Sequence, residues 1–129
     1  MAKNKNTSSQ FGAKMDSLIA WVGGKKQLRQ KITSYFPSII NTYVEAFGGA
    51  GWVLFYKDRW AEVEVYNDKD KRLVNLFKIA KFHPEALEKE TALLLHSREL
   101  FKDFNEQEGL TDVQRAARFF YLIKRSFGA

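Results

Sequence analysis

The chain has 129 residues, 21 lysines and arginines against 15 aspartates and glutamates, a formal charge of +6, 45% apolar residues and no cysteine. That length and apolar fraction predict a single globular domain, and the apolar runs fall far short of the roughly 20 residues that a membrane helix needs. Disulfides, zinc ribbons and thiol nucleophiles are excluded. The polar start Met1 to Asn6 is not followed by the apolar stretch of a secretory signal, so the cytoplasm is the expected compartment. The charge is polarised along the chain: Lys25, Lys26, Arg29 and Lys31 share a window without an acid, 83–110 is acidic, and 111–129 is basic again. Such a pattern suits polyanion contact and equally a solvated surface.

Residues 1–16 are polar and without apolar period, a flexible tail by expectation. Leu18 to Val22 leads into Gly23-Gly24, after which Leu28, Ile32 and Tyr35/Phe36 recur at helical spacing up to Pro37, predicting a helix over 25–36. Thr42 to Phe47 is β-prone and stops at Gly48-Gly49-Ala50-Gly51, and Trp52 to Tyr56 reads as an apolar helix. Glu62 to Tyr66 alternates as a second strand ending at Asn67-Asp68, and Leu73, Leu76, Phe77 and Ala80 set a helical face up to Phe82. This order predicts an α/β chain with a parallel sheet and a right-handed crossover. Beyond His83-Pro84 come acidic helical patterns, one up to His96 and one over Ser97 to Gln107. Last comes a helix capped by Thr111 and Asp112, with Val113, Ala116, Phe120, Ile123 and Phe127 on one stripe. Arg115, Arg118 and Arg125, with Lys124 at the margin, fall on the other side. They are candidate phosphate contacts or simply the polar face of a surface helix. Neither His83 nor His96 has a partner at metal-ligand spacing, which leaves them structural or solvent roles.

The strand, the glycine turn and the acid at the tip of the next strand, about 20 residues on, form a device for holding a nucleoside at the carboxyl end of a parallel sheet. The dinucleotide fingerprint fails, because Leu54 stands where its third glycine belongs, and the Walker loop fails at Ile19 and Lys26. A nucleoside site without a pyrophosphate cradle remains, and S-adenosylmethionine (SAM) has that shape.

Taken together, Trp21-Val22-Gly23-Gly24-Lys25, Pro37, Tyr43 to Gly51, Asn67-Asp68 and Ala116 to Leu122 resemble the N-terminal part of a Dam-type (D12 class) adenine-specific (N6) DNA methyltransferase, over residues 18–129. The resemblance implies an incomplete Rossmann-like SAM-dependent fold, parallel strands with flanking helices, over 17–82. Over 83–129 it implies helices that begin a DNA-recognition subdomain. It implies SAM as cofactor and double-stranded DNA as partner of the whole enzyme. By position, Trp21, Gly23, Gly24 and Lys25 would hold the methionine end, Phe47, Gly48, Gly49 and Gly51 the backbone cradle, and Asp68 the ribose. Glu45 would hold a backbone amide or the ligand. The chemistry suits the ligand: an ammonium pairs with a carboxylate, an aromatic face attracts a cation, and a carboxylate accepts from two hydroxyls. Each also has a plainer use, Trp21 as a core aromatic, Lys25 as a solvated residue, Asp68 as a helix N-cap.

The family's Asp-Pro-Pro-Tyr type motif, which accepts from the amine of an extruded adenine, is absent, since the only prolines are Pro37 and Pro84. The expectation is therefore a fragment, inactive alone, with the catalytic motif downstream. The alternatives are a non-catalytic SAM- or DNA-binding remnant of phage type, one part of a split enzyme, or a small helical DNA-binding protein without SAM. Two parallel strands with bare edges also predict self-association.

Overall fold

The β-prone run and the alternating run pair as expected. In the computed structural model, which describes residues 16–126, β1 (Thr42–Glu45) and β2 (Val63–Tyr66) form a parallel two-stranded sheet, with Thr42 opposite Val63 and Glu45 opposite Tyr66. The ladder continues past the strands: Asn67 N–H donates to Glu45 O (2.9 Å), Gly48 N–H to Asn67 O (2.9 Å) and the Asn67 amide to Ala46 O (2.8 Å). Both strands thus end side by side, and the glycine turn and Asp68 emerge together. Side chains alternate between the sheet faces. Tyr43, Glu45 and Tyr66 share the packed side; Val44 and Val65 share the other, where they are 58% and 41% exposed.

Among the described residues five helices follow the expected order: α1 (Arg29–Thr33), α2 (Lys71–Phe82), α3 (Pro84–Thr91), α4 (Arg98–Glu106) and α5 (Asp112–Arg125). Two predicted helices are shorter than their apolar patterns. α1 lacks a side-chain cap, and the Thr33 and Ser34 hydroxyls return to the Gln30 and Lys31 carbonyls, so regular helix covers little of 25–36. Over 52–56 only a 3-10 turn forms, Leu54–Tyr56. The Trp60 indole N–H donates to both Val53 O (2.9 Å) and Leu54 O (3.1 Å), and Glu45 takes the Leu54 N–H (3.2 Å), so side chains capture the groups that would extend a helix.

Capping sets the later helices. Asp70 accepts from Arg72 N–H at the start of α2, Ser97 from Leu100 N–H at α4, and Thr111 from Gln114 N–H at α5. Pro84 bars helical geometry at His83 and opens α3. α3 ends at Thr91, short of His96, because Ala92 turns extended and Leu93 takes a left-handed φ of 59°. The core joins Ile19, Ala50 and Trp52 to Leu73, Leu76 and Ile79 of α2 and Ala116, Phe119 and Ile123 of α5. A smaller cluster sits under the sheet around Tyr43, Val53 and Ala61. Apart from Asp16, the tail expected over 1–16 lies outside the described residues, as does Phe127. Among the described residues no helix is long and apolar enough to cross a membrane.

Candidate functional site

Where β1 and β2 end, the chain reverses at the glycine turn, and a tyrosine shapes it from below. The Tyr66 hydroxyl donates to Gly49 O (2.7 Å) while its ring lies directly beneath Gly48, where a Cβ would stand 2.1 Å from it. Only glycine lets the backbone approach that ring so closely. Gly51 has a φ of 67° and turns the chain toward Phe55. The Asp68 carboxylate spans the gap between the strands, with one oxygen accepting from Gly49 N–H (2.8 Å) and the other from Asp70 N–H (2.8 Å). The α2 cap is Asp70, which leaves Asp68 with the loop. Arg72 pairs with Asp70 (2.7 Å) and holds its carboxyl below the ordinary range, mainly through that hydrogen bond.

The opposite wall comes from 17–25. The Ser17 hydroxyl donates to Ala50 O, and a tight turn returns Gly24 N–H to Trp21 O (3.0 Å). The half-buried Trp21 meets Phe119 of α5 edge-on at 5.8 Å. Lys25 reaches across and donates from Nζ to Phe47 O (3.3 Å). Between the walls lies a cavity of about 190 Å³ lined by Trp21, Gly23, Gly24, Lys25, Phe47, Gly48, Gly49 and Asp68, together with Val22, Ala50 and Trp52. Of the ten candidate cofactor residues, the cleft gathers these eight, leaving Gly51 to shape the turn and Glu45 beneath it. An ammonium, a carboxylate and aromatic side chains lining one cleft make a site for a ligand that carries a carboxylate and hydroxyls.

Glu45 is the buried charge of the site. Its Oε2 accepts from Leu54 N–H (3.2 Å) and from the Tyr43 hydroxyl (3.4 Å), so it holds a backbone amide. Burial raises its pKa, and Lys25 and these two hydrogen bonds only partly offset the rise; burial beside Glu45 likewise raises the Tyr43 hydroxyl. A carboxyl that binds protons more tightly folded than unfolded stabilises less as pH rises from its ordinary 4.5 through the raised value. In urea unfolding, Glu45→Gln is therefore expected to gain stability relative to the unmodified protein between about pH 4 and pH 7. A pH-independent difference would contradict it.

The basic window beside the cleft finds its acid elsewhere. Asp16 pairs with Arg29 (2.6 Å) and Lys26 (3.5 Å), and both cations stand over the Trp52 ring.

A family model described as D12 class N6 adenine-specific DNA methyltransferase matches residues 21–127. The chain belongs to that family. The matched span of this D12-class chain opens on Trp21 at the cleft and takes in the glycine turn, Asp68 and all of α5. The residues that line the cleft lie within the matched span.

The candidate phosphate contacts of α5 are not a bare row. Arg115 donates to Gly109 O (3.3 Å), Leu110 O (3.0 Å) and Asp112, and Arg118 donates to Gln107 O (2.9 Å), so both clamp the loop that enters α5. Arg125 stands over Tyr121 and Lys124 over Phe120 at the far end of the helix. The stripe expected on α5 is also wider than drawn, because Phe119 and Tyr121 are buried too: α2, α3 and α4 all pack on this helix. Tyr66 and Trp52 are the site residues that sequence reading passed over. The signal for Tyr66 was an aromatic directly before Asn67-Asp68.

Proposed function

We propose that the cleft holds SAM, and that this chain supplies the donor side of methyl transfer to the N6 amine of adenine in double-stranded DNA. The observation that carries the reading is the meeting of Lys25, Trp21 and Asp68 around one glycine turn. The donor set fits the group: Lys25 for the carboxylate, the Trp21 ring for the cationic centre, Asp68 for the ribose hydroxyls and loop N–H groups for the remaining acceptors. The cavity is below the roughly 300–1,000 Å³ of sites that enclose a drug-sized ligand, which suits a cleft that grips one side of its ligand. Bound there, SAM supplies an electrophilic methyl. This chain's residues do the rest of the donor's work: Lys25 neutralises the carboxylate, Asp68 fixes the ribose while holding the turn through Gly49, and Tyr66 keeps the turn from collapsing.

Calorimetry with SAM tests this. Saturating heat at one site per chain supports it, and no heat up to about 1 mM ligand contradicts it.

The same reading extends to what the chain does not do. With Pro37 and Pro84 its only prolines, it has no Asp-Pro-Pro-Tyr motif to accept the adenine amine. The purified polypeptide is expected to transfer no labelled methyl to DNA, and incorporation above a no-protein control would overturn that. A remnant, or one part of a split enzyme, shares both expectations; a partner chain carrying the motif and restoring transfer would favour the split enzyme. The bare valine face of the sheet, beside edges with no neighbour among the described residues, further supports self-association. Sedimentation is expected to show concentration-dependent dimers, whereas a monomer throughout would count against them.

A further inference from the structure

A second cavity, of about 330 Å³, lies between α2, α4 and α5, and its lining shares no residue with the cleft. Lys71, Arg72, Arg115 and Arg118 face two acids there, Glu108 and Asp112, which leaves the pocket cationic. Two of these arginines stand over aromatic rings. The Arg72 guanidinium lies 4.8 Å from the Phe119 ring centre, and that of Arg118 lies 5.1 Å from Phe104. Guanidinium planes held in this way are surfaces on which a nucleobase stacks.

Their remaining donors are free for an anion. Arg72 commits Nε and Nη2 to Asp70, and Arg118 commits Nη1 to Gln107 O. Lys71 has no hydrogen bond or ion pair among the described residues. Of the two acids, Asp112 pairs with Arg115 and with Lys78 (3.5 Å), whereas Glu108 has no ion pair among the described residues and leaves the four cations in excess.

We propose that this cavity binds a nucleoside phosphate, with the base against the Arg72 and Arg118 planes and the phosphate on Lys71 and the free guanidinium N–H groups. The nucleotide is either free or one unit of a nucleic-acid strand. As a strand unit it deepens, and rests on, the reading that the chain meets DNA; it does not depend on the cleft holding SAM.

The test uses 2-aminopurine deoxyribonucleoside monophosphate, then an oligonucleotide carrying the same base as a single strand and as a duplex, read by fluorescence. Saturable binding is expected, weakened about tenfold by Arg118→Gln or by Lys71→Gln. Because Lys71 is exposed and unpaired, its variant folds normally. Binding of the monophosphate assigns a free nucleotide; binding of the oligonucleotide alone assigns a strand, with the salt slope falling by about 0.7 for each cation removed from a single-strand complex. Lys25→Gln, on the far side of the cleft and without a tie to this lining, is expected to leave this binding unchanged and SAM not to compete. Absence of saturable binding from every probe, indifference to both variants, or competition by SAM would each overturn the proposal.

Discussion

Replacing Asp68 with alanine is expected to lower SAM affinity by about 100-fold, the equivalent of two charge-assisted hydrogen bonds. The same carboxylate joins Gly49 N–H to Asp70 N–H, so its loss also removes one of the ties between the glycine turn and the tip of β2, while Gly48 N–H to Asn67 O and the Tyr66 hydroxyl to Gly49 O remain. Those two backbone donors are only part-buried and regain water, so the accompanying loss of stability is about 2 kcal/mol at most. Calorimetry and urea unfolding on one preparation separate the two effects. Asp68→Asn keeps one acceptor oxygen and is expected to fall between. If Asp68→Ala binds SAM as the unmodified protein does, Asp68 does not hold the ribose.

Leu76→Ala is expected to cause the largest loss of stability, about 2–5 kcal/mol. Leu76 is fully buried on α2 between Leu73 and Ile79, in the core that joins α5 to Ala50 and Trp52 of the glycine turn. The cavity left behind has helices on one side and the site's own loop on the other. Domains of this size are stable by about 5–15 kcal/mol, so the variant loses a large share of its total, and its thermal midpoint falls by roughly 10–20 °C. Val65→Ala, on the exposed face of β2, is expected to change stability by no more than about 0.5 kcal/mol. Similar losses in the two variants would show that the α2 and α5 interface is not the main core.

The parts of the fold that local signals encode were legible in the sequence. β-propensity marked the first strand and alternation the second, three glycines marked the turn between them, and a capping residue marked α5. Features built by residues distant in sequence were not. The Trp60 indole takes the carbonyls of Val53 and Leu54, so an apolar run that reads as helix is a single turn. Leu94 and Leu95 look helical, yet the Tyr121 hydroxyl donates to Leu95 O (2.9 Å) and accepts from Ser97 N–H (3.2 Å), holding that segment extended ahead of α4. The same holds at the site. Residues named from the cleft motifs converge, because a parallel pair brings its carboxyl ends together, while Tyr66 under Gly48 becomes visible only once β1 and β2 are in register. The cations of α5 were placed on a free face by helical periodicity, but α4 and the loop carrying Gly109 lie against that face and take up Arg115 and Arg118.

The most direct test of the SAM cleft is a titration of the ¹⁵N-labelled protein with SAM, following backbone amide shifts. Binding in the cleft predicts saturable shifts at Trp21 to Lys25, Phe47 to Gly51 and Asp68, with the exposed face of β2 and the far end of α5 unmoved. Shifts confined to other residues, or none at saturating ligand, would contradict it.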